Sequence, residues 1–267
     1  MKGLFRTTVV ASVFLVAGLA LNSAMASPVI DSAIVKTRIF NDDPSSTVTS
    51  GNLYPTSLWI KDQNVYTGWA NRHNFRLSDN GGINEAVFMN ADGFAFAADV
   101  TLTGSGDMPV EGGLNLSPWW SKDVDGVFML NTGGEIALFG GRLPFFSFTN
   151  TFGVHYALGE TVRIGLAYDP RGLTESNPGA IAYWLTQGAT TYASGWLPFD
   201  QGNPAEDPPY GLWGILNDAR VGGYVQVRAA GTPGNWGRID VGNMDYVPEP
   251  ASLVLLGLAS LLGLRRR

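Results

Sequence analysis

The stretch that most constrains the fold is a ten-residue alternation at residues 94–103. Every second residue from Phe94 to Leu102 is apolar, and the residues between are small or polar. Alternation with period two is typical of a β-strand that rests one face on a hydrophobic core. No long stretch of the body shows a helical period, while 34 glycines and 15 prolines supply turn formers. The sequence therefore predicts an all-β sandwich of about twelve strands.

Shorter segments of the same character lie between turn-forming residues. Residues 79–82 and 131–134 predict turns, the second closing a hairpin. The repeated Gly-Gly-x-Asn at 81–84 and 112–115 is interpreted as turn chemistry, and a parity change at Gly242-Asn243 predicts a β-bulge. The other predicted strands cover residues 33–40, 58–60, 74–77, 87–89, 127–130, 135–139, 145–149, 161–168, 181–185, 223–228 and 238–246.

The C-terminal residues 247–267 have a different composition from the body. Residues 251–264 are uncharged and apolar around the whole helical circumference, which predicts a transmembrane helix rather than a surface helix with one apolar stripe. At about 1.5 Å per residue this run spans roughly 21 Å, short of the roughly 30 Å hydrocarbon core. The basic residues that follow predict a cytoplasmic stop and place the body outside the inner membrane. They are Arg265, Arg266 and Arg267.

A proline-rich strip precedes the apolar run. Pro248 and Pro250 fix an extended, accessible backbone around Glu249. This strip, the short apolar helix and the terminal arginines together resemble the PEP-CTERM sorting signal of Gram-negative bacteria. The resemblance implies that Pro248, Glu249 and Pro250 are recognised by a membrane-embedded, transpeptidase-like exosortase that cuts the tail and releases or transfers the body. These residues are then processing determinants of a substrate and have no catalytic role.

The N-terminus has the pattern of a secretory signal peptide. A basic n-region precedes an apolar run at residues 9–21, and Ala24 and Ala26 supply the small residues of a cleavage site. We expect passage through the Sec translocon and signal peptidase cleavage after Ala26. The chain then divides into a signal peptide (1–26), a β-sandwich (27–246) and a sorting signal (247–267). The protein is expected to be anchored transiently and to end at the cell surface or outside the cell.

Charge and cysteine content exclude several classes of function. The two terminal segments hold five of the 17 basic residues, so 12 remain against 23 acidic ones, and the charge between Ser27 and Pro250 is −11. Such a surface repels nucleic acid. Zero cysteines exclude disulfides, thiolate metal sites and a cysteine nucleophile.

The order of strand signals is similar to that of concanavalin-A-like jelly rolls. The resemblance rests on the long strand at 94–103, the hairpin at 127–139, Gly159-Glu160-Thr161 leading into an alternating strand, and the closing Ile239-Asp240-Val241. The chain also resembles a set of uncharacterised PEP-CTERM proteins. That likeness rests on Ser117-Pro118-Trp119-Trp120, residues 140–148 and residues 202–206. Both imply a jelly-roll β-sandwich and neither implies an activity.

The carboxylates do not form a catalytic pattern. Glycoside hydrolases of this fold place three acids along one strand, whereas here only Asp123 and Asp125 alternate before an apolar run. These two could bind calcium, with Asn131 or Glu135 across the hairpin, although a solvated acidic turn is the favoured interpretation. His73 and His155 have no second histidine at metal-ligand spacing. No cofactor other than calcium is expected.

Exposed aromatic side chains are the candidates for sugar binding, because flat rings stack on sugar rings. Trp119 and Trp120 are the foremost pair, since neighbours on an extended chain face opposite ways. Core packing is the alternative for each tryptophan. The full candidate set is Trp119, Trp120, Trp196, Trp213 and Trp236.

Three functions remain open from the sequence. The first is a non-enzymatic, exported surface or matrix protein that binds exopolysaccharide after its tail is processed. The second is a secreted polysaccharide hydrolase or lyase. The third is a structural matrix protein without a ligand. The missing catalytic pattern favours the first.

Overall fold

The computed structural model describes residues 27–66, 68–105, 110–199, 218–228 and 234–248. The predicted signal peptide with Ala24 and Ala26, Glu249, Pro250, the apolar run and the arginine stop lie outside these residues. Within the described ranges no helix is both long and apolar enough to span a bilayer.

Fourteen strands and one short α-helix occur in the described part of the chain. The strands are β1 (Ser32–Phe40), β2 (Thr47–Leu53), β3 (Ser57–Gln63), β4 (Ala70–Ser78), β5 (Phe94–Gly104), β6 (Val110–Ser117), β7 (Val127–Asn131), β8 (Ile136–Phe139), β9 (Phe146–Ser147), β10 (Thr161–Asp169), β11 (Ala180–Gln187), β12 (Thr190–Pro198), β13 (Arg220–Arg228) and β14 (Trp236–Pro248). The helix α1 covers Phe148–Phe152, and a single 3-10 turn covers Trp119–Ser121.

The strands form two antiparallel sheets of seven strands. The first sheet has the order β1-β4-β13-β6-β7-β8-β9, and the second has the order β12-β11-β10-β5-β14-β3-β2. The core lies between the two sheets. The alternate apolar residues of β5, from Phe94 to Leu102, are buried there together with the inward-facing apolar residues of β10 and β11. The protein is therefore the all-β sandwich that the alternation predicts, of the jelly-roll class that the resemblance to concanavalin-A-like folds implies.

The predicted bulge is confirmed in β14. Its pairing with β5 shifts between Gly242 and Asp245, and Asn243 has a positive φ of 46°. The extra residue restores apolar contact on the core side, because Val241 and Met244 are both buried.

Two local predictions are wrong. Residues 145–149 were expected to be one strand, but only Phe146–Ser147 pairs, because the Ser147 hydroxyl accepts a hydrogen bond from the Asn150 amide and starts α1. Residues 87–89 form only an isolated bridge between Phe88 and Ala219. Three observed strands, β2, β6 and β12, were not predicted.

A buried polar network lies inside the sandwich at one side. The Asp62 carboxylate accepts hydrogen bonds from Asn71 Nδ2 at 2.5 Å and from His73 Nε2 at 3.0 Å. His73 Nδ1 accepts from the Arg38 amide at 2.8 Å, so its Nε2 must carry the proton. All three side chains are fully buried, and they connect β3 of the second sheet to β4 of the first.

Candidate functional site

The outward face of the first sheet carries a row of polar side chains. Gln226 on β13 lies directly between Arg72 on β4 and Glu111 on β6, and Glu111 lies opposite Asn131 on β7. Directly opposed residues point to the same face of a sheet, so four strands contribute to one line of polar groups. Their other face is apolar, since Val110, Leu114 and Leu116 of β6 belong to the core.

A groove of about 440 Å³ opens at the β6–β8 side of this row. We call it the first-sheet groove. It combines charged, amide and hydroxyl groups with the side chains of Met129 and Phe139. Its principal side chains are Glu111, Met129, Asn131, Thr132, Glu135, Phe139 and Arg228.

Asn131 fixes the turn at the rim of the groove by two hydrogen bonds. Its Oδ1 accepts a hydrogen bond from the Glu135 amide at 3.0 Å, and its Nδ2 donates to Glu135 Oε2 at 3.4 Å. The β7–β8 turn, with Glu135 at its end, is thereby fixed against β7. The carboxylate of Glu135 remains exposed to solvent.

Burial gives Glu111 unusual electrostatics. Desolvation raises the pKa of Glu111 above its ordinary value, and the nearby Glu135 carboxylate adds to that rise. The guanidinium of Arg228, 3.8 Å from Glu111 Oε2, acts in the opposite direction. Glu111 is therefore a partly buried carboxyl with an exposed cation beside it, since the side chains of Glu111 and Arg228 are 19% and 57% exposed.

An arginine–tyrosine stack supports the groove from the neighbouring strands. The Arg72 guanidinium lies 4.0 Å from the centre of the Tyr224 ring, and Tyr224 packs against Met129. Burial lowers the pKa of Arg72 and raises that of Tyr224. Arg72 Nη2 and the Tyr224 hydroxyl are buried without a hydrogen-bond partner. The sheet therefore holds uncompensated polar atoms next to the groove.

Trp119 and Trp120 occur on a 3-10 turn rather than on the extended chain that the sequence suggested. Pro118 directly follows β6, and its carbonyl accepts a hydrogen bond from the Ser121 amide at 3.1 Å. The two rings are in edge contact with centroids 5.7 Å apart. Trp119 is 44% exposed, whereas Trp120 is partly buried with the Arg142 guanidinium 5.3 Å from its ring centre. Neither residue lines the first-sheet groove.

The other candidate tryptophans lie on the second sheet and do not form one surface. Trp196 is on the edge strand β12, and Trp236 is on β14, four strands away. They are separated by about 19 Å across the sheet, at about 4.8 Å per strand, and also along it, since Trp196 is in register with Val247, eleven residues after Trp236. Trp196 is 51% exposed with Arg171 5.8 Å from its ring centre, and Lys61 lies 4.8 Å from that of Trp236. Trp213 lies outside the described residues. Sugar binding by these residues stays a prediction.

The acidic residues proposed for calcium lie in a turn, residues 122–126, and not on an extended segment. Asp123 Oδ1 accepts a hydrogen bond from Lys36 Nζ at 3.0 Å. Asn131 and Glu135 lie at the opposite end of β7 from Asp125, so the structure does not bring these groups together. No cluster of three or more His, Asp or Glu side chains suited to a metal occurs in the described ranges. Calcium at Asp123 and Asp125 stays a prediction.

The processing motif begins where the sandwich ends. Pro248 is the last residue of β14 and lies opposite Phe94 of β5, so the strand extends two residues past the predicted domain boundary at 246. Glu249 and Pro250 follow directly in the sequence.

The sandwich and its groove define a jelly-roll protein with a polar site on one face. Residues 247–267 match the PEP-CTERM protein-sorting motif. The chain is thus an exported protein with a C-terminal sorting signal, and an exosortase is its processing partner.

Comparison with curated proteins finds no match. Among solved structures, the chain is similar to the alginate lyase AlgAT5 of polysaccharide lyase family 7, with 12% identity, a TM-score of 0.43 and coverage of 82% of this chain and 95% of the lyase. It is also similar to arcelin-5, a lectin-like defense protein from Phaseolus vulgaris (10%, TM-score 0.40, 84% and 95%). A seed lectin from Lotus tetragonolobus has 9% identity, a TM-score of 0.35 and coverage of 82% and 99%. These are similarities of architecture alone.

Proposed function

We propose that the exported sandwich binds an extracellular polysaccharide in the first-sheet groove and is not an enzyme. The observation that carries the proposal is the composition of that groove. Glu111, Asn131 and Arg228 offer hydrogen-bond acceptors and donors beside the apolar surfaces of Met129 and Phe139. Sugars need both, because hydroxyls must be hydrogen-bonded while the ring faces pack on apolar groups.

The size and rigidity of the groove also support ligand binding. Its volume of about 440 Å³ lies within the range of small-molecule sites. Glu111, Met129 and Asn131 belong to paired strands, and Asn131 fixes the turn that closes the groove. Because paired strands fix the backbone beneath the groove, little backbone entropy is lost on binding, which favours affinity.

The termini set where this binding would occur. We propose that the chain passes the Sec translocon, loses residues 1–26 to signal peptidase, and is held in the inner membrane by residues 251–264 until an exosortase processes the tail. The sandwich then reaches the cell surface or the extracellular polysaccharide.

A titration of the purified protein with neutral and uronate-containing polysaccharides tests the binding. We expect calorimetric heat with at least one class, and a loss of about tenfold or more in affinity in Arg228→Ala, because a charged hydrogen-bond donor is removed. Arg238→Ala is the matched control, since Arg238 lies on β14 of the other sheet. Unchanged affinity in Arg228→Ala, or an equal loss in the control, would contradict the groove as the site. No heat with any glycan would favour a ligand-free structural protein.

A polysaccharide hydrolase or lyase is the second candidate. One observation favours it, since Glu111, with its raised pKa, shares the groove with the exposed carboxylate of Glu135. Two carboxyl groups in unlike environments are the usual acid and base of glycoside cleavage. Incubation with the same polysaccharides separates the two functions. A fragment ladder that disappears in Glu111→Gln would establish catalysis, whereas intact polymer supports binding alone.

A further inference from the structure

One end of the second sheet is apolar on its solvent face. Val247 lies opposite Ala95 on β5, Ala95 opposite Ala167 on β10, Ala167 opposite Ala182 on β11, and Ala182 opposite Trp196 on β12. We call these five residues the tail-end row, because Val247 precedes Pro248 by one position. Val247 is 56% and Trp196 is 51% exposed, and the three alanines between them are partly exposed. The row crosses five strands without a polar side chain.

The next row inward is apolar on β5, β10 and β11, where Ala97, Gly165 and Trp184 lie opposite one another, but its β14 member is the exposed Asp245. A shallow groove of about 210 Å³ between the two rows is bordered by Ala97, Trp184 and Val247 and by the charged side chains of Arg163 and Asp245. Trp184 lies flat over Gly165, where a Cβ would come within 2.2 Å of the indole ring.

The outward face becomes polar further from the tail. Arg163 forms ion pairs with Asp99 and Asp245, and the Thr101 and Thr161 hydroxyls form a hydrogen bond of 2.7 Å. An antiparallel sheet that faces water is normally polar along its whole outer face. One fully apolar row therefore crosses the sheet near the end at which β14 leaves the sandwich, with Asp245 on the side away from the tail and Asp169 on the side toward it.

The distance to the apolar C-terminal run is short. Only Glu249 and Pro250 separate Pro248 from residues 251–264. At no more than about 3.6 Å per residue, the Cα atom of Ala251 lies within roughly 11 Å of that of Pro248. The headgroup layer on each side of a bilayer is about 5–7 Å thick. When the run enters the hydrocarbon core, the end of β14 must therefore lie at or next to the headgroups.

The N-terminal side of the domain meets the same end. The Ser27 hydroxyl donates a hydrogen bond of 2.8 Å to the carbonyl of Gly93, which precedes the partner of Pro248 in β5. Ser27 follows the predicted signal peptide directly. The first residue after the predicted cleavage site and the last residue before the processing motif therefore lie at the same end of the sandwich.

We propose that the tail-end row is a membrane-docking surface that lies in the headgroup layer of the bilayer into which residues 251–264 insert. Its partner is lipid, and the inference rests on the proposed anchoring of the tail. Tryptophan with small apolar residues suits this layer, where indole rings concentrate. Rows on one face are about 7 Å apart, so Arg163 and Asp99 would remain at the water side of the headgroups.

The test uses the chain without its signal peptide, residues 27–267, in vesicles of phosphatidylethanolamine and phosphatidylglycerol, with some lipids carrying a headgroup-level spin label as a quencher. Emission is compared for the unaltered chain, Trp196→Phe and the control Trp236→Phe. Trp236 lies twelve residues before Pro248 on β14, about 40 Å away along the strand. We expect quenching that falls in Trp196→Phe and is unchanged in Trp236→Phe. Equal falls in both variants, or no quenching, would overturn the proposal.

A charge in the row provides the second test. Ala182→Glu places a carboxylate at the centre of the apolar surface, and Thr186→Glu places one on the same face of β11 four residues further from the tail end. We expect Trp196 quenching to be lost in Ala182→Glu and retained in Thr186→Glu, with unchanged circular dichroism in both. Retained quenching in Ala182→Glu overturns docking. If Ala182→Glu unfolds, the comparison of Trp196→Phe with Trp236→Phe alone decides whether the row docks on the membrane.

Vesicle flotation separates the two levels of failure. A chain that does not float with vesicles contradicts the anchored tail and removes the inference with it. A chain that floats while Trp196 escapes quenching contradicts docking alone. Trp196 shielded from lipid in a dimer detected by cross-linking would show that a second copy covers the row, and this also overturns the proposal.

Discussion

Arg76 is the side chain whose replacement tests the energetics of the first sheet most directly. It is fully buried on β4 and contacts the segment after β6. Its Nη2 donates to the Lys122 carbonyl at 2.7 Å and to Ser117 Oγ at 3.3 Å, and its Nη1 donates to the Phe75 carbonyl at 3.2 Å. Its Nε has no partner. The charge is thus solvated mainly by carbonyls.

The expected change in the free energy of unfolding follows from the pKa of Arg76. Burial lowers the pKa of Arg76 from 12.5 to about 10, which corresponds to roughly 3 kcal/mol against the charged form. The guanidinium is charged below that value, so the full cost is present at neutral pH. Arg76→Met removes it and leaves the two carbonyls without this donor, at about 1–3 kcal/mol each. Set against the roughly 3 kcal/mol recovered, these losses predict a net change in the free energy of unfolding between a gain of about 1 kcal/mol and a loss of about 3 kcal/mol.

Arg76→Ala differs because it also leaves a cavity. Removing a long buried side chain costs about 2–5 kcal/mol, so Arg76→Ala should be clearly less stable than Arg76→Met. Urea unfolding followed by circular dichroism measures both, with Arg238→Met on the solvent face of the second sheet as the control. A loss above about 4 kcal/mol in Arg76→Met would refute the reasoning, since it would mean that the buried charge is net stabilising.

Three further changes probe the sandwich. Asp62→Leu should cost about 2–6 kcal/mol in urea unfolding, because it leaves the buried donors of Asn71 and His73 without this acceptor, at about 1–3 kcal/mol each; a loss below about 1 kcal/mol would contradict this. Gly222→Ala should cost about 3 kcal/mol, since its Cβ would lie 2.0 Å from the Phe75 carbonyl oxygen, and an unchanged melting temperature would argue against that contact. Glu111→Gln should stabilise the protein at neutral pH, because the pKa of Glu111 is raised, and the gain should vanish below its ordinary value of 4.5; a gain at all pH values would exclude ionisation as its cause.

Two glycines explain why the sequence did not predict the first-sheet groove. Gly112 and Gly113 were interpreted as a turn, but both lie within β6, where Gly112 packs so closely that a Cβ would lie 2.7 Å from the Tyr224 carbonyl. Because β6 is a strand, its side chains alternate between the two faces of the sheet, so Leu114 faces the core and Glu111 faces the groove. Arg228 and Asn131 join Glu111 only through cross-strand register, which no local pattern contains.

For the tryptophans, the sequence predicted exposed rings but not where those rings lie. Their number indicated exposed rings, and Trp119 and Trp196 are exposed, but their separation was not predictable. The backbone is still extended at Pro118 and changes to a 3-10 turn at Trp119, so the local geometry differs from the expected alternation.

The sequence by itself determined the fold class, the parity of the long strands, the bulge at Gly242-Asn243 and the sorting motif, because each of these is written in local periodicity or in a contiguous segment. The tertiary structure alone decided which faces became functional. Pairing of β4, β13, β6 and β7 assembled the polar groove, and pairing of β14, β5, β10, β11 and β12 placed Val247 and Trp196 at opposite ends of one apolar row. Strand order and register depend on the packing of the whole core, and residues distant in the chain become neighbours only when that core forms.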